Sequence, residues 1–251
     1  MAFSYQKSDV HRRYDLGRTL TSDAILALIQ VLRAYAAPPV QLLIDLGCGT
    51  GRFTEALSEA FGVRVIGVEP AANMLAIAAT KPHARSVRFV QGRADHIPLR
   101  DGGVDLVFMS QVFHHLTDSP SALREIHRTL KPLGSLCIRQ TTRENLDSYF
   151  YQRFFPDARA VDERRLPSRA ELLRLTRSSQ YRLVAVETLR HEIASTNVDY
   201  VDKIALRTYS DLECIGDTSF HEGLDALRKY SFAHPGHPKF AENDLFVFER
   251  S

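Results

Sequence analysis

Gly47, Gly49 and Gly51 follow directly on an apolar run and an acid, Asp45, in the stretch LLIDLGCGTG at positions 42–51. Residues without a Cβ let a chain turn tightly and lie against a ligand. Where such a turn joins a strand to a helix, the helix aims unpaired N–H groups at the ligand, which favours an anion such as a carboxylate or phosphate. A glycine turn that only closes a loop is the plainer reading, and the alternation around this one argues against it. Two cofactor classes use such a turn, and spacing separates them. A dinucleotide fingerprint is GxGxxG, in which the third glycine permits close helix–strand packing. Counted from Gly47 and Gly49 that third position is Arg52, and counted from Gly49 and Gly51 it is Thr54. Neither register fits; what stands here is an acid followed by GxGxG.

The thiols and the paired histidines near the C-terminus form no comparable pattern. Cys48, Cys137 and Cys214 are odd in number, scattered and without CxxC spacing, so neither a disulfide framework nor a zinc site is expected. Cys48 sits near a helix N-terminus, where a thiol pKa can fall, but small residues suit that position and no nucleophilic role is assigned. His234 and His237 lie in HPGHPK, which reads as a turn rather than a metal site. No metal is expected.

The elements around the glycines have to hold them at a strand end. Residues 21–36 read as a helix capped by Thr21 or Ser22, with Ile25, Leu28, Ile29 and Leu32 on one face and Pro38-Pro39 ending it. Strands are expected at 41–46, 63–69, 87–91, 104–109 and 135–140, and helices at 52–61, 71–80 and 122–130. The strands are continuously apolar, as in a parallel sheet covered by helices on both faces. Their alternation with helices implies right-handed crossovers and a doubly wound α/β fold. In such folds ligands bind beyond the carboxyl ends of the strands, where strand order reverses. After residue 140 the pattern loosens. A helix starting in PSRAELLRL with Ser168 as cap, a long strand in RLVAVETLRHEI and a final strand DLFVFER bracket a helical insert at about 194–240.

From about residue 40 to 140 the chain resembles the class I S-adenosylmethionine-dependent methyltransferases, especially their small-molecule group. The resemblance rests on IDLGCGTGRFTEAL, VIGVEPAANML, VRFVQGRADHIPLRDGGVDLVFMSQVFHHL and ALREIHRTLKPLGSLCI, in that order and at ordinary spacing. It implies a Rossmann-like, seven-stranded, mostly parallel sheet with strand 7 antiparallel, an N-terminal helical lid and a C-terminal helical insert. On that reading residues 1–251 are one domain: a lid over 1–40, a cofactor-binding core over 41–140 and a substrate-side half over 141–251. S-adenosylmethionine is the implied cofactor, with Asp45, Gly47, Cys48, Gly49 and Gly51 in its first motif and Glu69, Pro70 and Met74 in its second. Glu69 also has a rationale of its own, because a carboxylate about 20 residues past such glycines can accept both ribose hydroxyls. Met74 is implied as an apolar contact to the adenine, with a place in the core as its alternative.

In the third motif, GRAD, relatives often carry an acid where Arg93 stands. A guanidinium cannot accept the adenine amino group, so that role passes to Asp95, a backbone carbonyl or water, while Ala94 offers its N–H. The loop SQVFHHL faces the reacting end in the family, so Gln111 is expected at the methionine part of the cofactor. His114 and His115 are the candidate bases, since histidine titrates near neutral pH. The N-terminal RRYDLGR resembles a lid, with Tyr14 over the sulfonium and Arg18 paired with the cofactor carboxylate. Tyr149, Phe150, Tyr151, Phe154 and Phe155 read as core before pocket.

With 251 residues, a net charge of +2 and 25% charged residues, the chain is expected to act on a small molecule rather than on nucleic acid or a membrane. SQVF at 110–113 replaces the Asn/Asp-Pro-Pro-aromatic turn that holds a flipped base, and no basic stripe compensates. No apolar run approaches the ~18 residues of a membrane span, and the N-terminus lacks the apolar stretch of a secretion signal. A cytoplasmic protein is expected. The alternatives are a non-catalytic cofactor-binding or regulatory protein with a blocked pocket, and an NAD-dependent oxidoreductase that tolerates Arg52 at the packing glycine.

Overall fold

Strands that are apolar at nearly every position need cover on both faces, and this chain supplies it. A computed structural model describes Tyr5 and residues 9–36, 39–82 and 85–251. In chain order the helices and strands are α1 (Tyr14–Gly17), α2 (Ser22–Tyr35), β1 (Leu42–Leu46), α3 (Thr54–Phe61), β2 (Arg64–Glu69), α4 (Ala72–Thr80), β3 (Val87–Gln91), β4 (Val104–Ser110), α5 (Ser119–Thr129) and β5 (Leu130–Gln140). The second half adds α6 (Pro156–Arg165), α7 (Arg169–Ser178), β6 (Tyr181–Ala194), α8 (Asn197–Ala205), α9 (Ser210–Glu213), α10 (Asp217–Ala233) and β7 (Lys239–Arg250). The sheet order is β3-β2-β1-β4-β5-β7-β6, parallel except for β7, which runs antiparallel to both β5 and β6. Pro38, expected as part of the α2 stop, lies outside the described residues.

Alternate side chains of the sheet divide the core between its faces. Ile44, Leu46, Val68, Val107 and Met109 pack on one side with α5 and α7 residues. Leu43, Val65, Leu106, Phe108 and Val247 pack on the other, against Leu28 and Leu32 of α2 and Leu57 of α3. A third apolar cluster lies in the second half of the chain, where Tyr151 and Phe155 meet Tyr200, Ile204, Leu212, Phe220 and Leu227 of the helices between β6 and β7. The expected insert is therefore α8–α10.

Caps fix the element ends. Thr21 accepts from the Ala24 N–H, and Ser168 with Glu171 forms a reciprocal box at the start of α7. The N-terminal segment is tied down at both sides. Arg13 donates to Leu206 O at 2.7 Å and pairs with Glu213 at 2.9 Å. Asp15 accepts from Thr50 of the glycine loop at 2.5 Å and pairs with Lys81 at 2.7 Å. The N-terminal segment thus spans from the helical insert to the glycine loop.

Candidate active site

Strand order reverses at β1, which lies between β2 and β4, and the crevice opens there beyond their carboxyl ends. Gly47, Gly49 and Gly51 all hold positive φ, at 73°, 58° and 74°, the left-handed region open to glycine. The Gly47 and Cys48 N–H groups share the Val68 carbonyl at 2.7 and 3.2 Å, which pins the loop to β2. A Cβ on Gly47 would lie 2.3 Å from Val112 Cγ2, so a side chain here would meet the wall of the crevice.

Glu69 ends β2 across this loop and is 7% exposed. Its Oε2 accepts the Gly49 N–H and its Oε1 the Ala71 N–H, both at 3.0 Å. Each oxygen keeps a second lone pair for a ligand hydroxyl. Burial raises its pKa against the pull of those two N–H groups. The cavity beside it, about 340 Å³, is lined by Gly47, Glu69, Pro70 and Ala71 on one side, and by Arg93, Ala94, Asp95, Val112 and His115 on others.

Two other expected residues, Met74 and Cys48, stand behind the cavity. Met74 is buried beneath the loop, its Cε 3.4 Å from a Cβ built on Gly49, and it does not line the cavity. Cys48 is buried too; burial, with Asp45 and Glu69 nearby, pushes its thiol up, opposite to the fall a helix N-terminus would bring. Arg93 grips Asp95 through two bonds, at 2.9 and 2.8 Å, holding that carboxyl below its ordinary range.

Asp45 is buried below the glycines and accepts the Thr54 hydroxyl at 2.7 Å. Burial pushes its pKa up to about 7. The sign follows: between the unfolded carboxylate pKa and about 7 the folded chain holds a proton that the unfolded chain lacks. Stability is therefore expected to fall as pH rises through that window. Asp45→Asn should remove about 1–3 kcal/mol of the fall between pH 5 and 8, read from urea midpoints. An identical pH slope in wild type and variant would contradict this.

A second cavity, about 40 Å³, adjoins the first; Tyr5 and His115 line both. Arg18, Tyr14, Gln111, His114, Tyr149 and Tyr151 are in its wall, so two of the aromatics expected in the core serve the pocket as well. Arg18 lies over the Tyr209 ring, 4.0 Å from its centroid. Gln111 has φ 58° and is locked to the end of β5. It donates to Thr141 Oγ1 at 2.9 Å and accepts the Thr141 N–H at 3.2 Å.

The histidines do not titrate near neutrality as the sequence suggested. Burial pushes His114 well below its ordinary value and His115 to about 3, with Arg165 and Arg18 acting in the same direction. The Gln140 amide nitrogen donates to Thr141 O at 2.9 Å and to His114 Nδ1 at 2.8 Å. Nδ1 is thus an acceptor, and neutral His114 carries its proton on Nε2. His114 therefore offers an N–H on Nε2 rather than a free basic nitrogen.

Sequence reasoning missed Tyr5, Val112, Leu116, Thr117 and Asp118 in the first cavity's wall. Only Asp118 left a signal. It caps α5 by accepting the Ser121 N–H, one residue before Ser119-Pro120, so the helix begins earlier than the expected residue 122.

A methyltransferase-domain model matches residues 44–138, the stretch from β1 to β5. A ubiquinone/menaquinone biosynthesis C-methyltransferase of Rubrivivax gelatinosus is 39% identical over 138 residues, 54% of this chain and 54% of that protein. The chain thus spans about half the length of that relative. A malonyl-[acyl-carrier protein] O-methyltransferase of Serratia marcescens is 30% identical over 215 residues, 84% of this chain and 76% of that protein. The chain belongs to the S-adenosylmethionine-dependent methyltransferases. The methyltransferase fold extends over the rest of the chain too. A phospholethanolamine N-methyltransferase 2 of Haemonchus contortus, solved with phosphomonomethylethanolamine and S-adenosylhomocysteine, superposes over 96% of this chain and 56% of its own. The TM-score is 0.63 and the identity 16%. Among the described residues this family member has no cluster of metal-binding side chains and no helix long and apolar enough to cross a membrane.

Proposed function

We propose that the protein moves the methyl group of S-adenosylmethionine to a small-molecule acceptor. The observation that carries this reading is that the side-chain-free turn at Gly47 and the Glu69 carboxylate bonded to its loop line one cavity of about 340 Å³. The residues suit the cofactor: the turn admits its amino-acid tail, and the free lone pairs of Glu69 accept its ribose hydroxyls. Asp45 and Cys48 support the turn from below, with Met74 packed under Gly49. Pro70, Arg93, Ala94 and Asp95 border the adenine end. Gln111 and Arg18 take the methionine end.

When bound, the cofactor supplies an electrophilic methyl group on a sulfonium whose leaving thioether is neutral. The chain therefore needs position and dryness more than acid–base chemistry. Orientation alone can supply about 7–11 kcal/mol. Tyr5 and His115, shared by both cavities, stand where the two meet and exclude water. His114 donates from Nε2 to the acceptor and orients it. We assign no general base.

The whole chain is read as one domain. Its unpaired thiols support a reducing, cytoplasmic setting. The near-balanced net charge of +2 supports a partner that is neither nucleic acid nor membrane.

A thermal-shift titration tests the reading. S-adenosylmethionine and S-adenosylhomocysteine at 100 times their Kd should raise Tm by roughly 5–10 °C, and NAD(H) should not. Stabilisation by NAD(H) alone would overturn it, as would absence of methyl transfer from labelled cofactor across carboxylate, phosphate, phenol and amine acceptors.

A further inference from the structure

We propose that the methyl acceptor is an anion, and that Arg52 and Arg139 hold its carboxylate or phosphate group in a chamber behind Gln111. This rests on the methyltransferase reading and names the substrate class for that same site.

The chamber, about 20 Å³, has room for an oxygen or two. Arg18, Arg52, Arg139, Gln111, His191 and Asn243 are in its wall, and no carboxylate is. It shares Arg18, Gln111, Tyr149 and Tyr209 with the cavity beside His114, so the two adjoin.

Three guanidinium groups in one wall need counter-charge. Among the described residues no carboxylate oxygen lies within 4.0 Å of Arg18, Arg52 or Arg139. Several other half-buried arginines are paired, as Arg13 with Asp9 and Glu213, and Arg207 with Asp217. Acids that act on these guanidinium groups are engaged. Asp15 holds Lys81 and Thr50, Asp45 takes the Thr54 hydroxyl, and Asp211 takes the Tyr151 hydroxyl.

Arg139 is 5% exposed, and its one side-chain bond goes to Ser110 Oγ at 3.2 Å. Arg52 donates from Nη1 to the Arg18 carbonyl, while its buried Nε has no partner. His191 Nδ1 is buried without a partner as well. Burial, helped by Arg139 and Arg18, pushes His191 to about 3, and burial pushes Arg139 to about 10. Asn243 Oδ1, also unpartnered, suits a hydroxyl on the same ligand.

The cofactor does not supply the missing charge. It brings one carboxylate, which Arg18 is placed to take, together with an ammonium and a sulfonium, so it enters with a net positive charge. Burying unneutralised charge is costly. An anionic acceptor cancels it and is drawn toward the sulfonium by the same field.

The test is isothermal titration of the full chain saturated with S-adenosylhomocysteine, using malonate, inorganic phosphate and the uncharged malonamide. Malonate or phosphate should bind, the better of the two identifying the class of anion, with malonamide at least about tenfold weaker. Arg139→Met should weaken the anion by about 10- to 100-fold and leave S-adenosylhomocysteine within about twofold. Without ligands, that variant should melt higher than wild type, since an uncompensated buried cation is gone. If it does not fold, the half-buried Arg52→Met gives the same binding readout. Equal binding of malonamide, no binding of either anion, or equal losses for anion and S-adenosylhomocysteine would overturn the proposal. Should S-adenosylhomocysteine itself not bind wild type, the methyltransferase reading falls, and the same titration into the free chain still decides the anion site.

Discussion

Glu69→Ala should lower the affinity for S-adenosylhomocysteine by about 100-fold or more, because a carboxylate accepting two hydroxyls makes two charge-assisted hydrogen bonds of about 1.5–3 kcal/mol each. The same carboxylate also organises the empty site. It accepts the Gly49 and Ala71 N–H groups at 3.0 Å, joining the glycine loop to the start of α4. Its removal leaves two N–H donors without partners, at a cost in folding of about 1–3 kcal/mol. Stability and binding therefore have to be measured separately. 5′-Methylthioadenosine keeps the ribose and lacks the amino-acid tail, so its affinity should drop by the same factor. Malonate or phosphate should bind at Arg139 as before, because Glu69 does not line that chamber. Unchanged affinity for both nucleosides would remove Glu69 from the ribose and leave it a loop clamp.

The half of the fold that carries this site was readable because its signals are local. β1 to β4 lie within a residue of their expected limits, since each is a short, mostly apolar run closed by a polar residue or glycine. The errors sit where pairing or capping overrides the local pattern. β5 starts at Leu130 rather than 135, because Leu130 pairs with Val104 before the ladder resumes at Ser135. β7 starts at Lys239 rather than 244, drawn into register opposite His191–Ala194 of β6. α6, PDARAVDERR, has too few apolar residues to show a helical stripe, and only Pro156 marks its start.

The site divides in the same way. The glycine turn and Glu69 come from one strand–helix–strand unit, so spacing along the chain reports on spacing in the fold. The arginine-lined chamber gathers residues 18, 52, 139, 191 and 243 from the lid, the glycine loop and three strands. Arg18 alone stands out in the sequence, as a partner of the cofactor carboxylate; the others each read as a solvated polar side chain. The histidines illustrate a further limit. Their type and place were legible, but burial and a bond from Gln140 set their protonation, and both depend on the packed half after residue 140.

Gly47→Ala should cost about 2–4 kcal/mol of stability and at least about tenfold in cofactor affinity, read by urea unfolding and by titration with S-adenosylhomocysteine. Two effects combine. The backbone at φ 73° lies in the region that a Cβ disfavours by about 1–2 kcal/mol. The added methyl would also fall 2.3 Å from Cγ2 and 3.0 Å from Cγ1 of Val112, a β-branched side chain with little freedom to turn aside. Val112 lines the cavity beside Glu69, so its displacement narrows that space. Gly62 separates the two effects, because it caps α3 at φ 66° with nothing within 4 Å of its Cβ position. Gly62→Ala should therefore show the backbone cost of about 1–2 kcal/mol alone and bind S-adenosylhomocysteine normally. Equal losses of affinity in the two variants would mean that general destabilisation, and not the closeness of Val112 to the turn, governs binding. A tenfold or greater gap between them places the cofactor against Gly47.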